Sequence, residues 1–287
     1  MIKNDKPADE QQLTPDILAC IRRALEEDIG PADITTSLLI PGNSTSRATY
    51  IAKESFVLAG MPFAKEVLLI LDSSVSFTSF FEEGSRVGKG DIIAEVSGKT
   101  CVILEGERVS LNIVQRLSGI ATLTHAYAEK IKGLKARIVD TRKTTPGLRF
   151  MEKYAVRTGG GYNHRFGLFD GVLIKDNHIK AAGGIRESVR RSKQCHHLLK
   201  IEVEVETLDG LTEAIEAGAD IVMLDNMSVA DMRKAVTISK GRVMLEASGG
   251  VNLKNVREVA ETGVDLVSVG ALTHSAPAVD ISLIIAP

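Results

Sequence analysis

The spacing of apolar positions divides the chain into two stretches with different patterning. Thr14-Pro15-Asp16 opens a helix, with Thr14 as N-cap and Pro15 at the first helical position. Ile17, Leu18, Ile21 and Leu25 mark its apolar face, and Gly30 can stop it. Asp28, Asp33, Thr35 and Thr36 form a polar loop suited to capping and turn chemistry. Residues 45–57 alternate like a strand, 62–71 read as a short helix and 75–81 as another strand. Residues 83–96 form a glycine-punctuated pair of short strands. From 105 to 132 the pattern turns helical, with Leu111, Val114, Leu117, Ala121 and Leu123 on the apolar side. Gly119 marks either a close packing contact or a break.

After Ala136 short apolar runs alternate with amphipathic segments. Strands are predicted at 137–140, 171–175, 200–205, 220–224, 243–247 and 265–269, with helices such as 208–217 and 229–238 between them. Strand–helix alternation implies a parallel sheet covered by helices. An internal repeat supports closure: Glu216-Ala-Gly-Ala-Asp-Ile-Val-Met-Leu-Asp225 parallels Glu261-Thr-Gly-Val-Asp-Leu-Val-Ser-Val-Gly270, which puts Asp225 and Gly270 at equivalent strand ends. Glu204 and Glu246 then lie about one strand–helix unit to either side of Asp225. A barrel is the economical arrangement.

Charge narrows what such a barrel can hold. The 287 residues are 44% hydrophobic and 25% charged, with a formal net charge of −2. A general nucleic-acid binder needs a broad basic excess, which is lacking. The cations are local: Arg142, Lys143, Arg149, Arg165 and Lys175, with His164 and His178, fall within residues 140–178, several just after apolar strands. That is a site for a small anion; the plainer reading is a solvated charged face. Cys20, Cys101 and Cys195 are far apart and lack metal-ligand spacing, which favours reduced thiols. Residues 1–13 read as a flexible leader. No apolar run reaches the eighteen or so residues of a membrane span, and a cytoplasmic location is expected.

In barrels of this kind chemistry sits where strands end, with phosphate often bound near the last strands. Arg142, Lys143, Lys175, Glu204, Asp225, Ser248-Gly249-Gly250 and Gly270 occupy such positions. The glycines let backbone N–H groups approach a phosphate, and Ser248 adds a hydroxyl, although a plain turn would also use them. Glu204 and Asp225 could coordinate Mg²⁺ or accept sugar hydroxyls; they could equally be countercharges for Lys175 and Lys143. Arg108, with Glu107 and Asn112, stands at the head of the 105–132 helix, either as part of the anion site or as a surface arginine.

Several ordered motifs carry a resemblance: Asp140-Thr-Arg-Lys-Thr-Thr-Pro-Gly-Leu-Arg149, Thr158-Gly-Gly-Gly-Tyr-Asn-His-Arg165, Ile174-Lys-Asp-Asn-His-Ile179, Glu202-Val-Glu-Val-Glu206, Met223-Leu-Asp-Asn226, Glu246-Ala-Ser-Gly-Gly250 and Gly270-Ala-Leu-Thr-His-Ser275. With Leu25-Glu-Glu-Asp-Ile-Gly30 and Glu105-Gly-Glu-Arg-Val-Ser-Leu-Asn112, they make the chain resemble the quinolinate phosphoribosyltransferases over almost its whole length. The resemblance implies an α/β protein of two domains. An N-terminal α/β sandwich, 1–112 joined by 276–287, accompanies an incomplete parallel α/β barrel of fewer than eight strands, 113–275. It implies phosphoribosyl transfer from 5-phosphoribosyl-1-pyrophosphate to quinolinate with decarboxylation, giving nicotinate mononucleotide, CO₂ and pyrophosphate for de novo NAD synthesis.

By the same resemblance Arg108, Thr141, Arg142, His164, Arg165 and Lys175 would form the quinolinate pocket, with Arg108 reaching into a partner subunit's site in a homodimer or a higher oligomer. Lys143, Lys175 and the expected cofactor Mg²⁺ would neutralise pyrophosphate. Glu204 and Asp225 would hold ribose hydroxyls or the metal, mainly through substrate. Ser248, Gly249, Gly250, Gly270 and His274 would take the 5-phosphate. Lys143, Lys175, Glu204 and Asp225 are the expected catalytic residues, and Lys175 the preferred gate for loss of the carboxylate. Two other readings remain: a paralogous phosphoribosyltransferase acting on another heteroaromatic acid, and a non-catalytic phosphate-ligand-binding barrel.

Overall fold

The computed structural model describes residues 13–286; residues 1–12, and with them nearly all of the expected leader, lie outside the described residues. In chain order the elements are α1 (Pro15–Ile29), α2 (Ile34–Leu39), β1 (Thr45–Ala52), β2 (Phe56–Val57), α3 (Met61–Leu71), β3 (Ser76–Ser79), β4 (Arg86–Val87), β5 (Ile92–Lys99) and α4 (Thr100–Lys130). There follow β6 (Arg137–Val139), α5 (Arg149–Thr158), β7 (Val172–Ile174), α6 (Asp176–Ala182), α7 (Ile185–Ser192), β8 (Ile201–Val205) and α8 (Leu208–Ala217). The chain closes with β9 (Ile221–Asp225), α9 (Val229–Ser239), β10 (Met244–Ser248), α10 (Val256–Ala260), β11 (Leu266–Ser268), α11 (Ala271–His274) and β12 (Ile281–Ile285).

Two compact units emerge. The first comprises the chain up to Leu123, Thr145–Gly159 and the chain from Ala276 on; the second comprises Thr124–Thr144 and Gly160–Ser275. In the first unit an antiparallel sheet runs β12-β1-β5-β3. Alternation in β1 buries Ala48, Tyr50 and Ala52, which pack with Ile93, Val96, Leu68, Ile103 and Leu111. Each large side chain so buried contributes on the order of 2 kcal/mol. The Tyr50 hydroxyl shares a 2.8 Å hydrogen bond with Ser110, so this buried polar tip is satisfied. Asp33 caps α2, accepting from the Thr36 N–H at 3.0 Å, as the polar loop suggested. Gly119 is a packing contact and not a break: a Cβ there would lie 1.9 Å from the Pro277 carbonyl oxygen, while α4 runs straight through. Glu152 on α5 is fully buried and accepts from Arg116 Nε and Nη2 at 2.8 and 2.6 Å and from the Thr145 N–H at 3.1 Å, which ties 145–159 into this unit.

The second unit contains a parallel six-stranded sheet in the order β6-β11-β10-β9-β8-β7, wrapped with helices as an incomplete barrel. All six strands expected from the apolar runs are present. The pairing Glu204↔Met223↔Glu246↔Leu266↔Arg137 sets these residues on one face, and the period of two places Glu202, Asp225 and Ser248 there too. That face is the interior, and it carries an unusual number of polar groups.

Candidate active site

Most of the interior side chains at the C-terminal strand ends converge on one cavity of about 640 Å³. Thr141, Arg142 and Lys143 enter from the loop after β6, His164 and Arg165 from the 160s loop, and Lys175 from the end of β7. Glu204, Asp225 and Ser248-Gly249-Gly250 come from the ends of β8, β9 and β10. Arg142, Arg165 and Lys175 therefore share one space, as an anion site requires. A cavity of about 910 Å³ in the first unit has no comparable cation set, bringing Lys65 beside Glu66, Glu82 and Glu83.

Local hydrogen bonds hold each of these groups. The 160s segment docks along β6 through the Tyr162 N–H to the Ile138 carbonyl and the Asp140 N–H to the Tyr162 carbonyl. The fully buried Asp140 then accepts the His164 backbone N–H at 2.8 Å. Phe166 and Gly167 N–H groups both donate to Asp170, closing a tight turn that returns Gly171, whose carbonyl accepts Arg165 Nη1 at 2.9 Å. Burial, and after it the charge of Arg142, lowers the Arg165 pKa from its ordinary value. Two guanidinium groups that feel each other in a sheltered place are stabilised by an anion between them.

Lys143 is held by its backbone, its N–H donating to Thr141 Oγ1 at 3.1 Å and its carbonyl accepting from Thr273 Oγ1 at 2.8 Å, while its side chain is exposed. Lys175 Nζ lies 2.8 Å from Glu204 Oε2, so Glu204 is a countercharge for Lys175 in this state. The Asp225 carboxylate takes one donor, Asn226 Nδ2 at 2.9 Å. Glu204 and Asp225 point hard oxygen ligands into a cavity that also admits substrate oxygens, the donor set Mg²⁺ accepts. Gly249 has φ +86°, and a Cβ there would meet Asn226 Oδ1, so only glycine allows these two loops to close together.

Other candidates fall elsewhere. Arg108 is exposed on α4, but α4 begins at Thr100; the residue is two turns into the helix, which removes the helix-head argument for it. Arg149 opens α5 in the first unit, and His178 caps α6 by accepting the Lys175 N–H at 3.0 Å. Gly270 and His274 adjoin Lys143: a Cβ on Gly270 would lie 3.1 Å from Lys143 Cδ and 3.2 Å from His274 Nε2.

Glu246, Glu202, Ser268 and Asn226 carried no assigned role in the sequence, although all but Ser268 lie in the quoted motifs. Glu246 and Glu202 are buried under the cations. The Arg165 N–H donates to His164 Nδ1 at 2.8 Å, so Nε2 carries the ring proton and directs it at Glu202 Oε2, 3.0 Å away. Glu246 Oε2 is 3.5 Å from the same nitrogen. With Nε2 occupied by a proton, the three groups form a proton-sharing cluster and not a coordination sphere. Burial first, and the Glu202 charge second, push the Glu246 pKa up to about 7.

Strand-end cations, carboxylates and a glycine pair on an incomplete parallel barrel define an α/β enzyme built for phosphorylated and carboxylated small molecules. Family models for the C-terminal and N-terminal domains of quinolinate phosphoribosyl transferase match residues 120–284 and 33–118. A Bacillus subtilis protein described as a probable carboxylating nicotinate-nucleotide pyrophosphorylase is 45% identical, with 90% of this chain and 89% of that protein covered. The Nicotiana tabacum decarboxylating quinolinate phosphoribosyltransferase 1b is 41% identical, with 94% and 82% covered. The solved nicotinate-nucleotide pyrophosphorylase of Francisella tularensis superposes with a TM-score of 0.91 at 43% identity, covering 95% of this chain and 98% of that one. The chain belongs to the quinolinate phosphoribosyltransferase family, whose members are pentosyl-transferring enzymes.

Proposed function

We propose that this chain transfers the phosphoribosyl group of 5-phosphoribosyl-1-pyrophosphate to quinolinate and releases CO₂, pyrophosphate and nicotinate mononucleotide, within de novo NAD synthesis. The observation that carries this reading is the convergence of Arg142, Arg165 and Lys175 with Ser248-Gly249-Gly250 and two carboxylates on a single cavity. A pyridine dicarboxylate and a sugar polyphosphate repel each other, and fixed cations remove that repulsion. Forked guanidinium groups suit the two carboxylates of quinolinate, and Leu173 and Met223 offer apolar walls for its ring. Ser248, Gly249 and Gly250 suit the 5-phosphate, for which Gly270 and His274, adjoining Lys143, would complete the site, while Lys143 would neutralise pyrophosphate.

Glu204 and Asp225 would hold Mg²⁺ together with substrate oxygens; when bound, the ion supplies charge neutralisation for departing pyrophosphate. As pyrophosphate leaves, the ribose C1 gains oxocarbenium character, the ring nitrogen attacks it, and the carboxylates of Glu204 and Asp225 can stabilise the positive sugar. The resulting cationic ring nitrogen stabilises the electron pair left at C2 when the adjacent carboxylate departs. Lys175, already balanced by Glu204, would then let that carboxylate go.

The exposed position of Arg108 suits a role in a partner subunit's cavity, in a homodimer or a larger assembly of dimers. Among the described residues no helix is long and apolar enough to cross a membrane, and the three cysteines are unpaired, which supports a reducing, cytoplasmic setting. Incubation with quinolinate, phosphoribosyl pyrophosphate and Mg²⁺ should yield equal amounts of nicotinate mononucleotide, CO₂ and pyrophosphate. Ligand binding without turnover would refute the reading.

A further inference from the structure

Loss of CO₂ from the pyridinium nucleotide leaves an electron pair on C2 that must collect a proton inside the cavity. We propose that Glu246 is the acid that delivers it. The inference rests on the function proposed above and adds a residue to its second half.

The geometry singles out Glu246 by how loosely it is partnered. Its side chain is fully buried in the middle of β10, yet neither carboxyl oxygen takes a well-formed hydrogen bond: the Ser268 hydroxyl, which donates to the Ala247 carbonyl at 3.4 Å, is a weak neighbour, and His164 Nε2 stands 3.5 Å away. A carboxylate fixed there for structure would be surrounded by donors, since an unpaired buried charge costs several kcal/mol. Held as the neutral acid, the group avoids most of that cost. The cluster around it leaves the proton no better home: Glu202 Oε2 already receives the His164 Nε2 proton, and His164 Nδ1 is closed by the Arg165 N–H. Glu202 Oε1, also buried and without a hydrogen bond, is the acceptor a neutral Glu246 would seek.

Glu246 also reaches the right place. It lines both the 640 Å³ cavity and a 310 Å³ space behind it within the barrel. Facing it are Arg137 from β6, Arg142 from the following loop, His164 and Arg165 from the 160s loop, Lys175 from the end of β7 and Glu202 from β8. From β9 the charged group lining the cavity is Asp225, and from β11 the neighbour is the neutral Ser268. Of these, the arginines are too weakly acidic to give a proton and Lys175 is held by Glu204. The direction of the Glu246 pKa, raised by burial and by Glu202, agrees with an acid poised near neutrality.

The step balances. The C2–carboxylate bond breaks with its electron pair remaining on C2 beside the cationic nitrogen, and CO₂ leaves. The Glu246 O–H bond then breaks as the C2–H bond forms. Glu246, now a carboxylate, regains a proton from solvent before the next turnover, so each cycle consumes one solvent proton.

The test is a single-turnover experiment on full-length wild type, Glu246→Gln and Glu246→Asp. Pyrophosphate release reports ribosyl transfer, and label from the C2 carboxylate with nicotinate mononucleotide reports the second half. Gln keeps the volume and Asp keeps the acid. In Glu246→Gln, nicotinate mononucleotide should form on the order of a hundredfold more slowly, with pyrophosphate release little changed and quinolinate mononucleotide accumulating. Glu246→Asp should be intermediate. Wild-type product formation should also decline as pH rises past neutrality, and the residual Gln rate should lack that decline. Both variants slowing the two phases equally, or neither slowing either, would overturn the proposal. Absence of nicotinate mononucleotide from wild type would instead sink the underlying function.

Discussion

Glu152 and Glu246 are both removed completely from solvent, and they live under opposite conditions. Glu152, in the first unit, has a guanidinium fork on one oxygen and a backbone N–H on the other. Glu246, in the barrel, has no well-formed hydrogen bond on either, only the Ser268 hydroxyl nearby and His164 Nε2 at 3.5 Å. Burial is the same, so burial alone says nothing about purpose; the count of donors does. A fully partnered buried carboxylate is a fastener, holding the 145–159 segment against α4. A poorly partnered one stores unfavourable solvation and a proton, the signature of a group kept for chemistry rather than for fastening.

Breaking the fastener should give the largest effect. Glu152→Ala leaves Arg116 in place with its countercharge gone and should destabilise the first unit by about 3–5 kcal/mol. Urea unfolding would show a lower midpoint, and an unchanged midpoint would mean the Arg116–Glu152 pair is not structural.

The orphan should respond in the opposite direction and only above a certain pH. The folded-state pKa of Glu246, about 7, lies above its ordinary 4.5, so the folded protein binds more protons than the unfolded one between those values. Its destabilising effect is therefore absent below about pH 4.5, grows as pH rises towards 7, and is constant above. Glu246→Gln should leave stability nearly unchanged at pH 4 and raise it at pH 8 by up to on the order of 3 kcal/mol. Melting curves at the two pH values check this; equal shifts at both would show that Glu246 does not titrate in this window.

An anion arriving above Glu246 would relieve the repulsion between Arg165 and Arg142. Arg165→Lys keeps the charge but loses the fork that reaches Gly171 and, on the proposed function, a carboxylate. Weaker quinolinate binding by about tenfold, or roughly 1.4 kcal/mol, is expected in a titration, with the affinity for phosphoribosyl pyrophosphate nearly constant.

How much of this contrast was legible in the sequence follows from which interactions are local. The six barrel strands are short apolar runs, and their strand-end residues Arg142, Lys175, Glu204, Asp225 and Ser248 reach one cavity because parallel strands end on one side. Helix α4 begins five residues before the stretch its apolar pattern marks, since Thr100–Leu104 reads equally well as the end of a strand, and the earlier start carries Arg108 away from the helix head. Helix α5 was hidden because Arg149, Glu152, Lys153 and Arg157 look solvated, yet Glu152 and Lys153 are buried. Glu202 and Glu246 stood in quoted motifs without a role, because the absence of a donor is a property of the packed barrel and of no spacing along the chain.

The smallest change probes how the fastener's strength is divided. Arg116→Lys retains a positive charge near Glu152 but cannot place two N–H groups on one oxygen while a third contact reaches Thr145 Oγ1 at 3.0 Å. Charge alone should preserve most of the stabilisation, and loss of the fork should cost about 1 kcal/mol, the net worth of one hydrogen bond. A lysine variant as unstable as Glu152→Ala would mean that geometry, not charge, is what a buried carboxylate needs from its partner. Glu246, with the charges of His164 and Lys175 acting on it but no donor at close hydrogen-bond geometry, would then be poorly held for the same reason.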